Sequence, residues 1–358
     1  MKTRFRKKPG SNRPVDRIRD SGGKVQIAPE HGKIVCMKSI GDRLYLLAER
    51  GVVSGEMADG IDPKRTNEAI PPFVQRTELS YGVDHTFIQQ TLCVAFQLLD
   101  HTYLPDTVDD DEARAHALDA AIALAAIADV MEEMKAHQNE TRIKLQTHEF
   151  DLGHLPRTAN IRGKLHGCIS HLREVEMSLA KLTLMFHSKV VHNDPWQKAF
   201  RVAIAKKHGE NSEEVEYLER IFTFLRSAVE HRNAMIHPKA THKVVLHDYA
   251  MRPDGAFWAP SLEIVHPEFP LDRQDAVQFF TNQLDSMGHA FETALSCLCN
   301  VNAMSFNEMF DTSVARLPEG EPSFGSRLVW NTVVRPEYAD SFPQQLVGAK
   351  QGTVSGAD

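Results

Sequence analysis

The chain has 358 residues, 42% hydrophobic and 25% charged, with 41 Lys and Arg against 48 Asp and Glu. That balance excludes disorder throughout, and it excludes a polycation that would coat nucleic acid or an acidic membrane over its whole surface, so any such contact has to be local. Histidine reaches 18 residues, and the five cysteines at 36, 93, 168, 297 and 299 fit neither a disulfide framework nor a four-thiolate zinc site, which points to a reducing, cytoplasmic setting.

In chain order, residues 1–30 carry charge and proline with little apolar content. Nine Lys or Arg up to position 24 face only Asp16 and Asp20, which predicts a disordered basic arm able to meet phosphates. The segment has no apolar core of the kind a secretory signal needs, and no apolar run in the chain approaches the roughly 20 residues of a membrane span, so a soluble protein without membrane contact is expected. Residues 31–80 form a small extension, with strand-like runs at 33–37 and 43–48 punctuated by Gly41 and Gly51 that predict a β-hairpin.

Residues 81–305 then change to long helical periods. Helices are predicted over 84–103, 109–147 and 159–192, followed by a shorter one from Pro195 to Lys207. The acidic run from Asp109 to Glu112 reads as charge placed at the positive end of a helix dipole, in preference to a metal site. Asn211 or Ser212 caps the next helix, which runs to Ile236 and is stopped by Pro238. Residues 243–249 and 257–265 flank the turn Arg252-Pro253-Asp254-Gly255 as a hairpin, and a last helix covers 272–299. Residues 306–358, rich in Gly, Pro and polar side chains, are expected to be an irregular tail. The fold class expected is mainly α, an antiparallel helical bundle with a small β-hairpin insertion and irregular extensions.

The chemically capable residues crowd at the end of the helix that stops at Ile236. At about 100° per residue, Leu218, Phe222, Leu225, Val229 and Ile236 form one apolar stripe, and Arg226, Glu230, Asn233 and His237 a second, wholly polar one. Arg232 lies at the edge of the apolar stripe and wants an anionic or hydrogen-bonding partner. It is separated from His237 by roughly 140°, so the two converge only if His237 swings off the helix before Pro238, or if a symmetric dimer apposes two such ends.

Arg232-Asn233, three residues, then His237 resembles the Arg-x(4–6)-His motif of HEPN domains, and the order of long helices, hairpin and closing helix is similar over roughly residues 84 to 300. The resemblance implies metal-independent RNA cleavage, in which a 2′-hydroxyl attacks the adjacent phosphate and leaves a 2′,3′-cyclic phosphate, commonly across a homodimer cleft. His237 would then carry the proton and Arg232 would stabilise phosphoryl charge, with Asn233 orienting and Glu230 tuning the imidazole. It also implies a defence or toxin role; the residues name no restraining partner. The competing reading is a non-catalytic dimerisation or interaction module, in which Arg232 pairs with a carboxylate on a neighbouring helix while Asn233 and His237 cap the last carbonyls. No cofactor and no metal is expected, because the intervals among His231, His237, His242, His247, His266 and Asp248 match no ligand box.

Overall fold

The computed structural model describes residues 13–20, 26–146, 154–187, 196–254, 256–305, 307–318 and 324–341. The chain opens with α1 (Pro14–Asp20), then β1 (Ile34–Ile40), β2 (Arg43–Ala48) and β3 (Gly51–Met57), the single turn α2 (Ala58–Ile61) and β4 (Phe73–Leu79). Next come α3 (Thr86–Ile88), a π turn at Gln89–Cys93 and α4 (Val94–Leu98), then four long helices: α5 (Asp110–Gln146), α6 (Ile161–Phe186), α7 (Trp196–His208) and α8 (Glu213–Ile236). The remainder is β5 (Lys243–His247), β6 (Ala250–Met251), β7 (Phe257–Trp258), β8 (Ser261–Val265), β9 (Leu271–Asp275), α9 (Ala276–Val301), β10 (Phe310–Arg316) and β11 (Leu328–Val334).

The mainly α expectation is overturned. The structure is about 52% helix and 21% strand, and strands β1 to β4 form one antiparallel meander in the order of the chain. The expected hairpin was half of that sheet. The third and fourth strands escaped notice because Gly51, Ser54 and Gly55 lower the β-forming character of β3, and Gln75, Arg76 and Thr77 make β4 look like a polar linker. The ring of Phe73 on the neighbouring strand lies over Gly55, where a Cβ would fall 1.7 Å from it, so a larger residue would have to displace that ring.

Two further expectations change. The 306–358 tail contains the antiparallel hairpin β10–β11, paired from Phe310↔Val334 to Arg316↔Leu328. Trp330 docks it by donating Nε1–H to the carbonyl of Leu98 at 3.0 Å and stacking on Tyr103, and Arg327 pairs with the buried carboxylate of Glu292 on α9. Within the basic arm, residues 14–20 form a helix and Arg19 is buried: its guanidinium donates to the carbonyls of Ala58, Asp62 and Asn67 and to the carboxylates of Asp59 and Asp62. Positions 1–12 and 21–25 of that arm lie outside the described residues.

Helix ends differ where a distant partner intervenes. The helix expected over 84–103 stops at Leu98, because Arg114 of α5 takes the carbonyl of Leu99 at 2.8 Å and Asp100 turns back to accept from the N–H of Thr102. The last helix starts at Ala276, four residues later than expected, since residues 271–275 pair with β8 and Asp275 supplies the cap by accepting from Gln278 N–H at 2.9 Å. The third helix ends at Phe186, and the rest of its expected span, 188–192, lies outside the described residues.

The core runs through α5, α6, α8 and α9 and continues under the meander, with Leu124, Ile127, Phe200, Phe280 and Phe291 among its fully buried side chains. Arg114 ties the start of α5 to the sheet by donating to the carbonyl of Ser39 on β1. Packing against α6 and α7 on one flank and β5 and β8 on the other fixes α8, and with it the residues of the motif.

Candidate functional site

Helix α8 forms where expected. Ser212 is its cap, accepting from Val215 N–H at 3.3 Å, and Glu213, Glu214 and Glu216 sit at the positive end of the dipole. The apolar stripe ends at Met235, one residue early: Ile236 is 43% exposed. His231, assigned to neither stripe, is buried and donates Nε2–H to the carbonyl of Phe269 at 3.0 Å. Burial pushes its pKa below the ordinary imidazole value, with His266 adding to that effect and the Phe269 carbonyl and Glu230 opposing it.

Glu230 faces the turn between β8 and β9. His266 in that turn accepts on Nδ1 from the backbone N–H groups of Glu268 and Phe269, at 3.2 and 3.1 Å, which leaves its ring proton on Nε2. That nitrogen is buried without a hydrogen bond and lies 3.6 Å from Glu230 Oε2. Arg226, one turn earlier on α8, pairs with Glu268 and lies over the Phe269 ring at 5.2 Å. Residues 266–269 are thus latched onto the polar stripe at three points. Sequence reasoning missed this latch, although the segment His266-Pro267-Glu268-Phe269-Pro270 marked it with two prolines and a charge complementary to Arg226.

Arg232 takes the other flank. Glu230 and Arg232 are about 200° apart on the helix, so one meets the turn and the other meets α6. There Arg232 sits in electrostatic reach of Arg173, whose own pKa is pushed below the usual guanidinium value first by burial and then by the charge of Arg232. Arg173 pairs with Glu176, a buried carboxylate that also accepts from Trp196 Nε1–H at 2.9 Å. The carboxylate of Glu176 is thus occupied by Arg173 and Trp196, and Arg232 adds a second guanidinium charge near Arg173. The surplus is positive and half-buried, a setting that suits a phosphate.

His237 leaves the helix as its C-terminal cap, at φ −121° and ψ 61°, with its backbone N–H donating to the carbonyl of Asn233 at 2.9 Å. Pro238 disfavours helical geometry at this position, as expected. His237, Pro238 and Lys239 are exposed. Among the described residues, the side chains of Arg232, Asn233 and His237 make no hydrogen bond or ion pair, to each other or to anything else. The four predicted residues are therefore split within one chain: Glu230 against the turn, Arg232 toward α6, and Asn233 and His237 at the helix end.

No group of three or more His, Cys, Asp or Glu among the described residues is placed to hold a metal ion. The histidines after the motif are dispersed: His247 lies 3.7 Å from Glu263, His242 packs edge-on against His266, and Asp248 accepts from the backbone N–H of Thr158. No helix among the described residues is long and apolar enough to cross a membrane. Comparison with protein-family models, with curated proteins and with solved structures finds no match to this chain.

Proposed function

We propose that the end of α8 is the reactive site of a metal-independent endoribonuclease. The observation that carries this reading is the set of three unpartnered side chains, Arg232, Asn233 and His237, next to a second guanidinium at Arg173. A structural role for Arg232 calls for a carboxylate, and the charge it acts on is that of another cation, Arg173.

In the reaction, His237 takes the proton of a ribose 2′-hydroxyl as that oxygen attacks the adjacent phosphorus. Arg232 holds the non-bridging oxygens as negative charge grows on them, and Asn233, one turn before His237, orients the imidazole or the phosphate. The 5′-oxygen leaves with a proton from a second acid, and the strand ends in a 2′,3′-cyclic phosphate. Because Arg232 lies toward α6 while His237 stands exposed beyond the helix end, and the two make no contact within one chain, a homodimer that apposes two α8 ends would place one chain's His237 beside the other's Arg232. A defence or toxin role belongs to this reading as its biological context.

The second reading is an interaction module, favoured by one observation: Glu230 is already held against His266, so the polar stripe is in part structural. Incubating single-stranded RNA with the full chain in EDTA separates the two. The native protein should release products with cyclic phosphate ends, and His237→Ala and Arg232→Ala should each slow this by roughly a hundredfold or more. If the native chain does not cut, or if both variants cut at its rate, the interaction module is the better account.

A further inference from the structure

The last turns of α5 and the hairpin that carries β6 and β7 enclose a cavity of about 310 Å³, at the small end of the range for small-molecule sites. Its helical wall is Gln138, Asn139, Thr141 and Arg142, and its hairpin wall includes Tyr249 and Phe257. None of these residues takes part in the contacts of α8.

The polar groups of this cavity are partly committed, and what remains uncommitted is specific. Gln138 donates from Nε2 to Asp275 at 3.2 Å, while the other oxygen of Asp275 caps α9; the amide is thereby fixed and its Oε1 left as an acceptor. Asn139 uses Oδ1 to accept from Arg142 at 3.4 Å, leaving Nδ2 as a donor. Tyr249 is buried and held by His137, its hydroxyl 3.2 Å from Nδ1, whereas Phe257 is half-buried and offers a face for stacking. Among the described residues no carboxylate lines the cavity, and the charged side chain in its wall is the exposed Arg142.

A ligand that matches has a flat π face, a donor and an acceptor along one edge, and an anionic group attached. Those are the properties of a nucleobase with its phosphate. We infer that this cavity binds an unpaired nucleobase, stacked on Phe257, read along its edge by Gln138 and Asn139, and followed by a phosphate on Arg142. The ribonuclease reading bears on the inference only in suggesting that the base belongs to an RNA strand and not to a free nucleotide.

Binding of a fluorescently labelled single-stranded RNA, followed by anisotropy in a His237→Ala background, tests this without cleavage. Phe257→Ala and the double variant Asn139→Ala/Arg142→Ala, both altering residues outside the buried core, should each weaken binding by about tenfold, as loss of one stacked base does. Phe257→Tyr should restore it, and AMP should compete where ribose 5-phosphate does not. Calorimetry with AMP distinguishes the source: AMP binding that the variants weaken, with strand binding unchanged, keeps the base site and assigns it to a free nucleotide. Strand and AMP binding that no variant alters, or equal competition by ribose 5-phosphate, overturns the inference. Since the assay reads binding in a cleavage-deficient chain, a native protein that fails to cut RNA would leave its result standing on its own.

Discussion

His266 presents Nε2 to the carboxylate of Glu230 across 3.6 Å while its Nδ1 takes two backbone N–H groups of its own turn. One ring thus organises the β8–β9 turn and joins it to the polar stripe of α8. Because the turn depends on an acceptor at Nδ1, His266→Phe should leave two N–H groups unpaired and lower stability by about 1–3 kcal/mol in urea unfolding. His266→Asn, whose Oδ1 can stand near the position of Nδ1, should recover part of the loss. Equal stability of His266→Phe and the native chain would count against the latch.

Three histidines, His231 buried and His166 and His187 half-buried, set a pH dependence. Burial lowers the pKa of His231, His187 and His166 in the folded state, whereas in the unfolded chain each titrates near its ordinary value of about 6.5. Below that value the unfolded state binds more protons than the folded one, so stability is complete above about pH 6.5 and falls as the pH drops toward the folded-state pKa values. Each group adds a slope of at most about 1.4 kcal/mol per pH unit. Urea unfolding between about pH 5 and 8 should show this decline, made shallower by His231→Gln. A flat profile, or one that rises toward acid, is the opposite result.

Arg232 adds its charge to that of Arg173, and reversing it separates a structural from a functional role. Arg232→Glu should convert the repulsion with Arg173 into attraction, leaving thermal stability unchanged or raised by up to about 1 kcal/mol. On the proposed function the same variant should abolish RNA cleavage. Marked destabilisation would show instead that Arg232 is an integral part of the packing.

Arg19 anchors the start of the chain to the loop after β3. Truncation to Ala would leave the carbonyls of Ala58, Asp62 and Asn67 without this donor, while Asp62 keeps the N–H groups of Thr66 and Asn67 on its carboxylate, and should cost on the order of 1–3 kcal/mol. Limited proteolysis should show the effect first as faster cutting within 13–20 and 58–67. An Arg19→Ala chain as protease-resistant as the native one would falsify this anchoring.

The long helices of the second half were legible because their information is local. Ser212 and the acidic turn after it start α8, Pro238 stops it, and apolar residues at helical spacing mark α5 and α6. The motif at the end of α8 was legible for the same reason. Its surroundings were not: Arg173 lies 59 positions earlier than Arg232 and His266 lies 36 later than Glu230, with nothing in the intervening chain to announce either meeting. The sequence marked a second, wholly polar stripe, but that its middle is covered by residues 266–269 of the same chain depends on how β8 pairs with β9.

By itself the sequence determined where the long helices α5 to α9 form, the turn at residues 252–254, and that Arg232, Asn233 and His237 share one helix end. Each of these is set by hydrogen bonds and side-chain neighbours within a few residues. Only the tertiary structure decided that residues 34–79 close a four-stranded sheet, that 310–316 and 328–334 pair as a hairpin on α4 and α9, and that Arg19 is buried in ion pairs while Arg232 has none. The reason is common to all three: a strand satisfies its backbone, and a buried charge its field, with groups from elsewhere in the chain, so neither can be assigned until those distant segments have met.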